Sequence, residues 1–179
     1  LRLKEEIGIV IKQDMLEKRA KIIYLSVGSN LGNRKQNIEK TKFELYSNGI
    51  NIIKFSNYYE TLSWPNPKNP KFYNIVLKVS SDLKMLELLK LCKQIEISLG
   101  RKKAPKNSPR TCDIDIIDYN QKVNANGINV PHPRMHQRNF VLIPLFEIEK
   151  TWKYPNSKRY IKNLIFSLSN SDIRSIKLV

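Results

Sequence analysis

Within Pro109-Arg110-Thr111-Cys112-Asp113-Ile114-Asp115-Ile116, two carboxylates sit one residue apart in an apolar run. Ile114, Ile116 and Ile117 interleave with Asp113 and Asp115, and alternation at period two predicts a β-strand. Residues i and i+2 of a strand share a face, so both carboxylates project together. Asp is depleted in strands, and two neighbouring carboxylates repel each other, so burying them uncompensated is costly. A divalent cation relieves that cost, and hard oxygen ligands suit magnesium. The plain alternative is an edge strand with its Asp residues on a wet face.

The segment just upstream tips the balance. Arg101, Lys102, Lys103, Lys106 and Arg110 follow Gly100, interrupted by Pro105 and Pro109. A charged, Pro-broken segment reads as a loop. Any one of these lysines is best read as solvated surface. Beside a metal-binding pair, however, the group supplies cations that clamp phosphate oxygens. The combination points to transfer of a phosphoryl-type group from a nucleotide.

At 179 residues, with 41% hydrophobic and 27% charged residues, the chain fits one soluble domain with a core of its own. No apolar run approaches the roughly 20 residues that span a bilayer, and there is no secretory-signal pattern. Cys92 and Cys112 are too few for a disulfide framework and lack metal-ligand spacing, so they read as core residues in a reducing cytoplasm. The net charge of +16 would attract nucleic acid or polyanionic small molecules. Because Lys, Asn and Ile are abundant throughout, as AT-rich coding produces, only clustered cations are read as functional.

Residues 1–20 show no clear cap or turn and are expected to be an extension, an alternative start or a translated upstream region. Residues 21–179 are expected to form a single domain. Ile22 to Val27 predicts a buried strand ending at Gly28-Ser29-Asn30, and Asn33 caps a helix to about Ser47, stopped by Asn48-Gly49. Strands follow at Ile50–Asn57 and Phe72–Val79, separated by a loop from about Thr61 to Lys71 that contains Pro65, Pro67, Pro70 and Trp64. Asp82 is expected to cap a helix to Leu99, with Leu83, Leu86, Leu89 or Lys90, Cys92 or Lys93, and Ile97 near helical spacing, ended by Gly100. After the Asp-x-Asp strand, Asn120-Gln121 and Asn126-Gly127 mark turns around a short strand. Two helices close the chain, at Phe140–Glu147 (interrupted by Pro144) and near Ser157–Ser169. This order matches an α+β, ferredoxin-like sandwich, a mainly antiparallel sheet with helices packed on it.

Several segments together resemble one family. They are Tyr24-Leu25-Ser26-Val27-Gly28-Ser29-Asn30-Leu31-Gly32, Tyr59-Glu60-Thr61, Phe72-Tyr73-Asn74, Glu96, Gly100-Arg101, the Pro109–Ile116 run, Val130-Pro131-His132-Pro133-Arg134-Met135, and Arg138, Phe140 and Pro144-Leu145-Phe146-Glu147. Over about residues 22–150 the chain is similar to the 6-hydroxymethyl-7,8-dihydropterin pyrophosphokinases of folate biosynthesis. The resemblance implies transfer of pyrophosphate from ATP to the hydroxymethyl group of a reduced pterin, with release of AMP. It implies a cytoplasmic monomer whose partners are ATP and the pterin, with neither nucleic acid nor membrane.

The same resemblance implies that Asp113 and Asp115 bind two magnesium ions and that Arg101 and Arg110 act on the triphosphate. Lys103 and Lys106 fall near further cationic positions of that loop. Glu96, Ile116, His132 and Arg138 match positions at the nucleotide site. Gly28, Thr61, Leu62, Trp64, Phe72, Asn74 and Phe140 match the pterin side, where Phe72 and Phe140 stack on the ring and Asn74 reads its edge. Read alone, the aromatic residues are ordinary core, His132 is as well a satisfied loop residue, and His136 is surface. The chain departs from many relatives in carrying Leu62-Ser63 after Thr61, lysine at 103 and 106 where arginine is usual, and no tryptophan near Asn107. The rival readings are an RNA-binding module, which the acidic pair disfavours, and a nucleotidyl or kinase-type transferase using the same pair.

Overall fold

The computed structural model describes residues 20–105, 107–123 and 128–179. The expected extension at residues 1–20 lies outside them but for its last residue, as do Lys106 and the Asn126-Gly127 turn.

Strand β1 (Lys21–Ser29) leads into α1 (Arg34–Ser47), then β2 (Asn51–Phe55), β3 (Tyr59–Thr61), β4 (Phe72–Ser81), α2 (Met85–Ser98) and β5 (Asp113–Tyr119). A 3₁₀ turn at Met135–Gln137 precedes α3 (Asn139–Ile148), α4 (Ile161–Ile165), α5 (Asn170–Ser175) and β6 (Lys177–Leu178). The order in the sheet is β5-β1-β4-β3-β6, with β2 also on β4 and every pair antiparallel. β2 and β3 therefore lie one after the other along the same side of β4, with β6 outside β3, and the ferredoxin-like plan holds.

Local chemistry accounts for these elements. The Asn33 side chain accepts the Gln36 N–H at 3.1 Å, opening α1, and Gly49, at φ +80°, follows its end. α2 departs from expectation. It begins at Met85 rather than after an Asp82 cap, with the Glu87 carboxylate accepting the Lys84 N–H at 2.7 Å. Its buried positions are Met85, Leu88, Cys92, Ile95 and Glu96, so the apolar stripe is rotated from the expected one, sharing only Cys92 with it, and Ile97 is 67% exposed. Pro144 lies inside α3 without ending it, and the helix expected near Ser157–Ser169 is shortened to α4, with α5 lying beyond that range. β3 had no strand signal of its own because it is only three residues long.

Alternation along the strands gives the sheet two apolar faces. Ile23, Leu25, Val27, Ile75, Leu77, Ile114 and Ile116 pack with residues of α1 and α2, such as Ile38, Leu45, Leu88 and Ile95. On the opposite face Tyr24, Val76 and Ile117 pack with Met135, Val141, Leu142, Leu145, Trp152 and Ile161. α3 covers only part of this second face, and the exposed remainder holds the site.

A buried acid tests how that second core is set. The Trp152 indole N–H and the Gln121 backbone N–H both donate to Asp118, at 2.8 Å each. Burial pushes the Asp118 carboxyl above its ordinary value, against those bonds. The folded state then holds this proton more tightly than the unfolded state does. Asp118 therefore contributes stability at low pH that is lost as pH rises through its raised value. Asp118→Asn removes the ionisation, so in paired melts the wild type should gain on the variant as pH falls from neutral through the carboxylate range. An unchanged or reversed difference would place the cost of that charge elsewhere.

Candidate active site

β5 pairs with β1 in the register Gly28↔Asp113 and Ser26↔Asp115, and β1 pairs with β4 in the register Gly28↔Asn74 and Ser26↔Val76. Directly paired residues share a face. One row across the sheet thus runs Asp113, Gly28, Asn74, and the next holds Asp115 and Ser26. Both carboxylates line the same cavity of about 290 Å³, as the i, i+2 spacing predicts.

Arginines from three places reach this pair. Arg101, just past the C-terminus of α2, donates to Asp113 at 2.8 Å and is ion-paired with Glu96 at 2.7 Å. Arg110 is ion-paired with Asp113 at 3.0 Å, and Arg138, at the start of α3, lies 3.3 Å from Asp115. Gly100, at φ +90°, turns the chain out of α2 so that Arg101 folds back over the helix end. The Arg101 N–H in turn donates to the Glu96 carbonyl at 3.0 Å. Burial lowers the Arg101 pKa, but the Glu96 and Asp113 carboxylates beside it outweigh this and hold the guanidinium charge more firmly than usual. The Arg110 Nε is buried with no partner, leaving that guanidinium with unused donor capacity.

Glu96 acts from beneath the cavity. At 1% exposure it is not in the wall, and its carboxylate accepts the Ile114 N–H at 2.8 Å together with the Lys93 and Arg101 pairs. Ile116, expected near the nucleotide, packs its side chain into the core on the other face of the sheet. Lys103 is exposed and outside the cavity wall, and Lys106 lies outside the described residues. His132 does line the cavity. Burial lowers its pKa, more than the Asp115 charge raises it, so the ring is neutral at pH 7, and its Nδ1 accepts the Arg134 N–H at 3.2 Å.

The remaining wall is aromatic and amide. Gly28, Thr61, Leu62, Trp64, Phe72, Asn74 and Phe140 all line it, as expected. Asn74 donates to Thr61 Oγ1 at 2.9 Å, which fixes its amide orientation. Asn30 ties the two loops flanking the site. It donates to Ser63 Oγ and the Pro70 carbonyl, and its Oδ1 accepts the Arg110 N–H at 2.7 Å. A side chain at Gly28 has no room, since an added Cβ would lie 2.9 Å from Asn74 Oδ1 and 3.3 Å from the Phe72 ring. Gly28→Ala should therefore displace those two side chains and weaken binding of a flat heteroaromatic ligand by roughly tenfold or more, at the usual scale for lost packing and overpacking. Nucleotide affinity and melting temperature should change little; equal loss of both ligands would mean a general distortion.

Reading by residue type did not single out Ser26, Lys93, Ala104, Pro105, Asn107 or Arg134, all of which line the cavity. Ser26 was findable by strand parity, two residues before Gly28. Arg134 sits inside the Val-Pro-His-Pro-Arg-Met motif, and its guanidinium stacks 4.8 Å over the Trp64 ring, a contact with no sequence signal.

The lining thus holds Lys93, Arg101, Arg110, Arg134 and Arg138 against two carboxylates and beside aromatic faces, a surface suited to both a polyanion and a planar ring. Among the described residues there is no group of three or more His, Cys, Asp or Glu placed to hold a metal. Two carboxylates still fit magnesium, which commonly takes one or two from the protein and completes its shell with substrate phosphates and water.

A family model described as 7,8-dihydro-6-hydroxymethylpterin-pyrophosphokinase matches residues 24–150. The chain is 36% identical over 129 residues to the 2-amino-4-hydroxy-6-hydroxymethyldihydropteridine pyrophosphokinase of Bacillus subtilis, covering 71% of this chain and 77% of that protein. The Aquifex aeolicus protein of the same name is 37% identical over 141 residues, covering 78% and 88%. The folic acid synthesis protein FOL1 of Dictyostelium discoideum is 42% identical over 135 residues, and this chain spans only 20% of its length. The HPPK-DHPS crystal structure of Plasmodium falciparum superposes with a TM-score of 0.63 at 15% identity, covering 82% of this chain and 44% of that one, and so supports the fold. With the motifs, the register of the Asp pair and these relatives in agreement, the chain belongs to the 7,8-dihydro-6-hydroxymethylpterin-pyrophosphokinase family.

Proposed function

We propose that the protein transfers pyrophosphate from ATP to the hydroxymethyl group of 6-hydroxymethyl-7,8-dihydropterin, releasing AMP, and serves folate biosynthesis. The observation that carries this reading is the Asp113 and Asp115 pair sharing one cavity with arginines and with Phe72, Asn74 and Phe140. Family membership supports the same reaction.

In this reading the pterin ring lies between Phe72 and Phe140, with Asn74 reading its edge and Thr61 holding the Asn74 amide. The substrate hydroxyl oxygen attacks the β-phosphorus of ATP, the bond from that phosphorus to the α,β-bridging oxygen breaks, and AMP leaves. The hydroxyl proton passes to solvent. A loose transition state of this kind asks for positioning and charge stabilisation more than for a strong base. Asp113 and Asp115 would hold two magnesium ions, which neutralise charge on the attacking and leaving oxygens. Arg101 and Arg110 bind phosphate oxygens, exchanging part of their present pairing with Asp113 for the triphosphate. His132 and Arg138 take the nucleotide side, with Lys103 and Lys106 adding charge along the loop.

Among the described residues no helix is long and apolar enough to cross a membrane. Cys92 and Cys112 are free and buried, with thiols raised by burial to about 12 and about 11, which suits a reducing cytoplasm. The decisive experiment is nucleotide product analysis with Mg-ATP, with and without the reduced pterin. Pterin-dependent AMP is the expected result. ADP would mean kinase chemistry, and free pyrophosphate would mean nucleotidyl transfer; either one overturns the proposal.

A further inference from the structure

The residues after 150, beyond the family match, contact the proposed pterin wall from outside. α5 has no buried residue, so apolar packing does not hold it, and a six-residue helix is marginal on its own. It is held instead at two anchors. Buried Asn139 donates its amide protons to the Asp172 carbonyl and, at 3.0 Å, to Ser175 Oγ, while its Oδ1 accepts the Phe140 N–H at 2.7 Å. Beyond α5, β6 pairs with β3 in the register Tyr59↔Leu178 and Glu60↔Lys177, and the Val179 N–H donates to the Tyr58 carbonyl at 3.0 Å.

Both anchors end on elements of the site. β3 ends in Thr61, which accepts the Asn74 amide bond, and Asn139 lies between Arg138 and Phe140. Between the anchors opens a second cavity of about 530 Å³, walled by Leu62, Trp64 and Phe140 on the site side and by Ser171, Asp172 and Ser175 on the other. The loop carrying Leu62 and Trp64 is thus backed by open space rather than packed core. Its start at Thr61 depends on β3, a three-residue strand that alone makes few ladder bonds.

We propose that residues 169–179 form a strap that positions the pterin-binding wall. By pairing with β3 and clasping Asn139, the strap sets the separation of Thr61 and Phe140 across the ring site. Asn139 and the β6 backbone are positioning groups and touch no substrate. This inference rests on the pterin reading above.

Val179→Pro deletes the N–H that reaches Tyr58, and Asn139→Asp deletes the two amide donors while keeping the acceptor for Phe140. Equilibrium binding of 6-hydroxymethylpterin, followed by its own fluorescence, and of a non-hydrolysable ATP analogue would be measured for both variants and wild type. Each variant should weaken pterin binding by roughly tenfold, the scale of one or two lost hydrogen bonds, and change the nucleotide by less than about twofold. Equal weakening of both ligands would show general loosening, and unchanged pterin affinity would show that the strap is inert; either overturns the proposal. Wild type that binds nucleotide and no pterin would instead overturn the functional reading beneath it.

Discussion

Asp115→Ala should reduce pterin-dependent AMP formation by roughly 10³-fold or more, since a metal clamp supplies several kcal/mol of transition-state stabilisation. The fold should survive. Among the described residues Asp115 makes one ion pair, to Arg138 at 3.3 Å, with 31% of its side chain exposed, and such a pair contributes little stability. Removing it also relieves repulsion with Asp113 on the same sheet face. The informative pairing is a steady-state rate with a thermal melt: a large loss of turnover at an unchanged melting temperature fits a functional carboxylate. Turnover near wild type would remove the metal assignment altogether, whereas loss of both together would make Asp115 structural.

Glu96→Ala should show the opposite signature. Glu96 is 1% exposed and gathers three partners, namely the Ile114 N–H at the start of β5, Lys93 and Arg101. Deleting it strands a buried backbone donor and half of the Arg101 charge compensation. Breaking a buried pair of this kind costs about 3 kcal/mol or more, which for a chain of this size lowers the melting temperature by roughly 6–12 °C. Because Arg101 also reaches Asp113, the rate should fall as well. Glu96→Gln keeps an oxygen for the Ile114 N–H and should lose less stability than alanine while still releasing Arg101. If glutamine melts no higher than alanine, the Ile114 bond is not what Glu96 contributes. A nucleotide ligand role for Glu96 would instead predict lost ATP affinity at full stability. The two variants thus separate the carboxylate that faces the cavity from the one that supports it.

Elements whose burial follows from their own periodicity were legible without coordinates. β1, α1, β4 and β5 fall where alternation, the Asn33 cap and the Asn48-Gly49 stop place them. α2 was located but misphased: the expected stripe of Leu83, Leu86, Leu89, Cys92 and Ile97 shares only Cys92 with the buried set Met85, Leu88, Cys92 and Ile95, and only contact with the sheet selects between two sets that are both apolar near helical spacing. β3 and α5 had no readable signal, because such short elements take their conformation from a partner rather than from propensity.

The site divides in the same way. By itself the sequence determined that Asp113 and Asp115 share a face and that a cationic loop precedes them, the first from backbone parity and the second from residue chemistry. Gly28, Phe72 and Asn74 were joined to them only by the family resemblance, since read alone they are ordinary core. Only the tertiary structure decided which cations reach the carboxylates, that Glu96 supports Arg101 from below, that Ile116 turns to the opposite core, and that Arg134 stacks on Trp64. Those contacts join segments far apart in the chain, and they depend on the strand register and on how loops close across it. A local pattern encodes which way a side chain points along its own element, whereas what it meets there is set by packing against the rest of the fold.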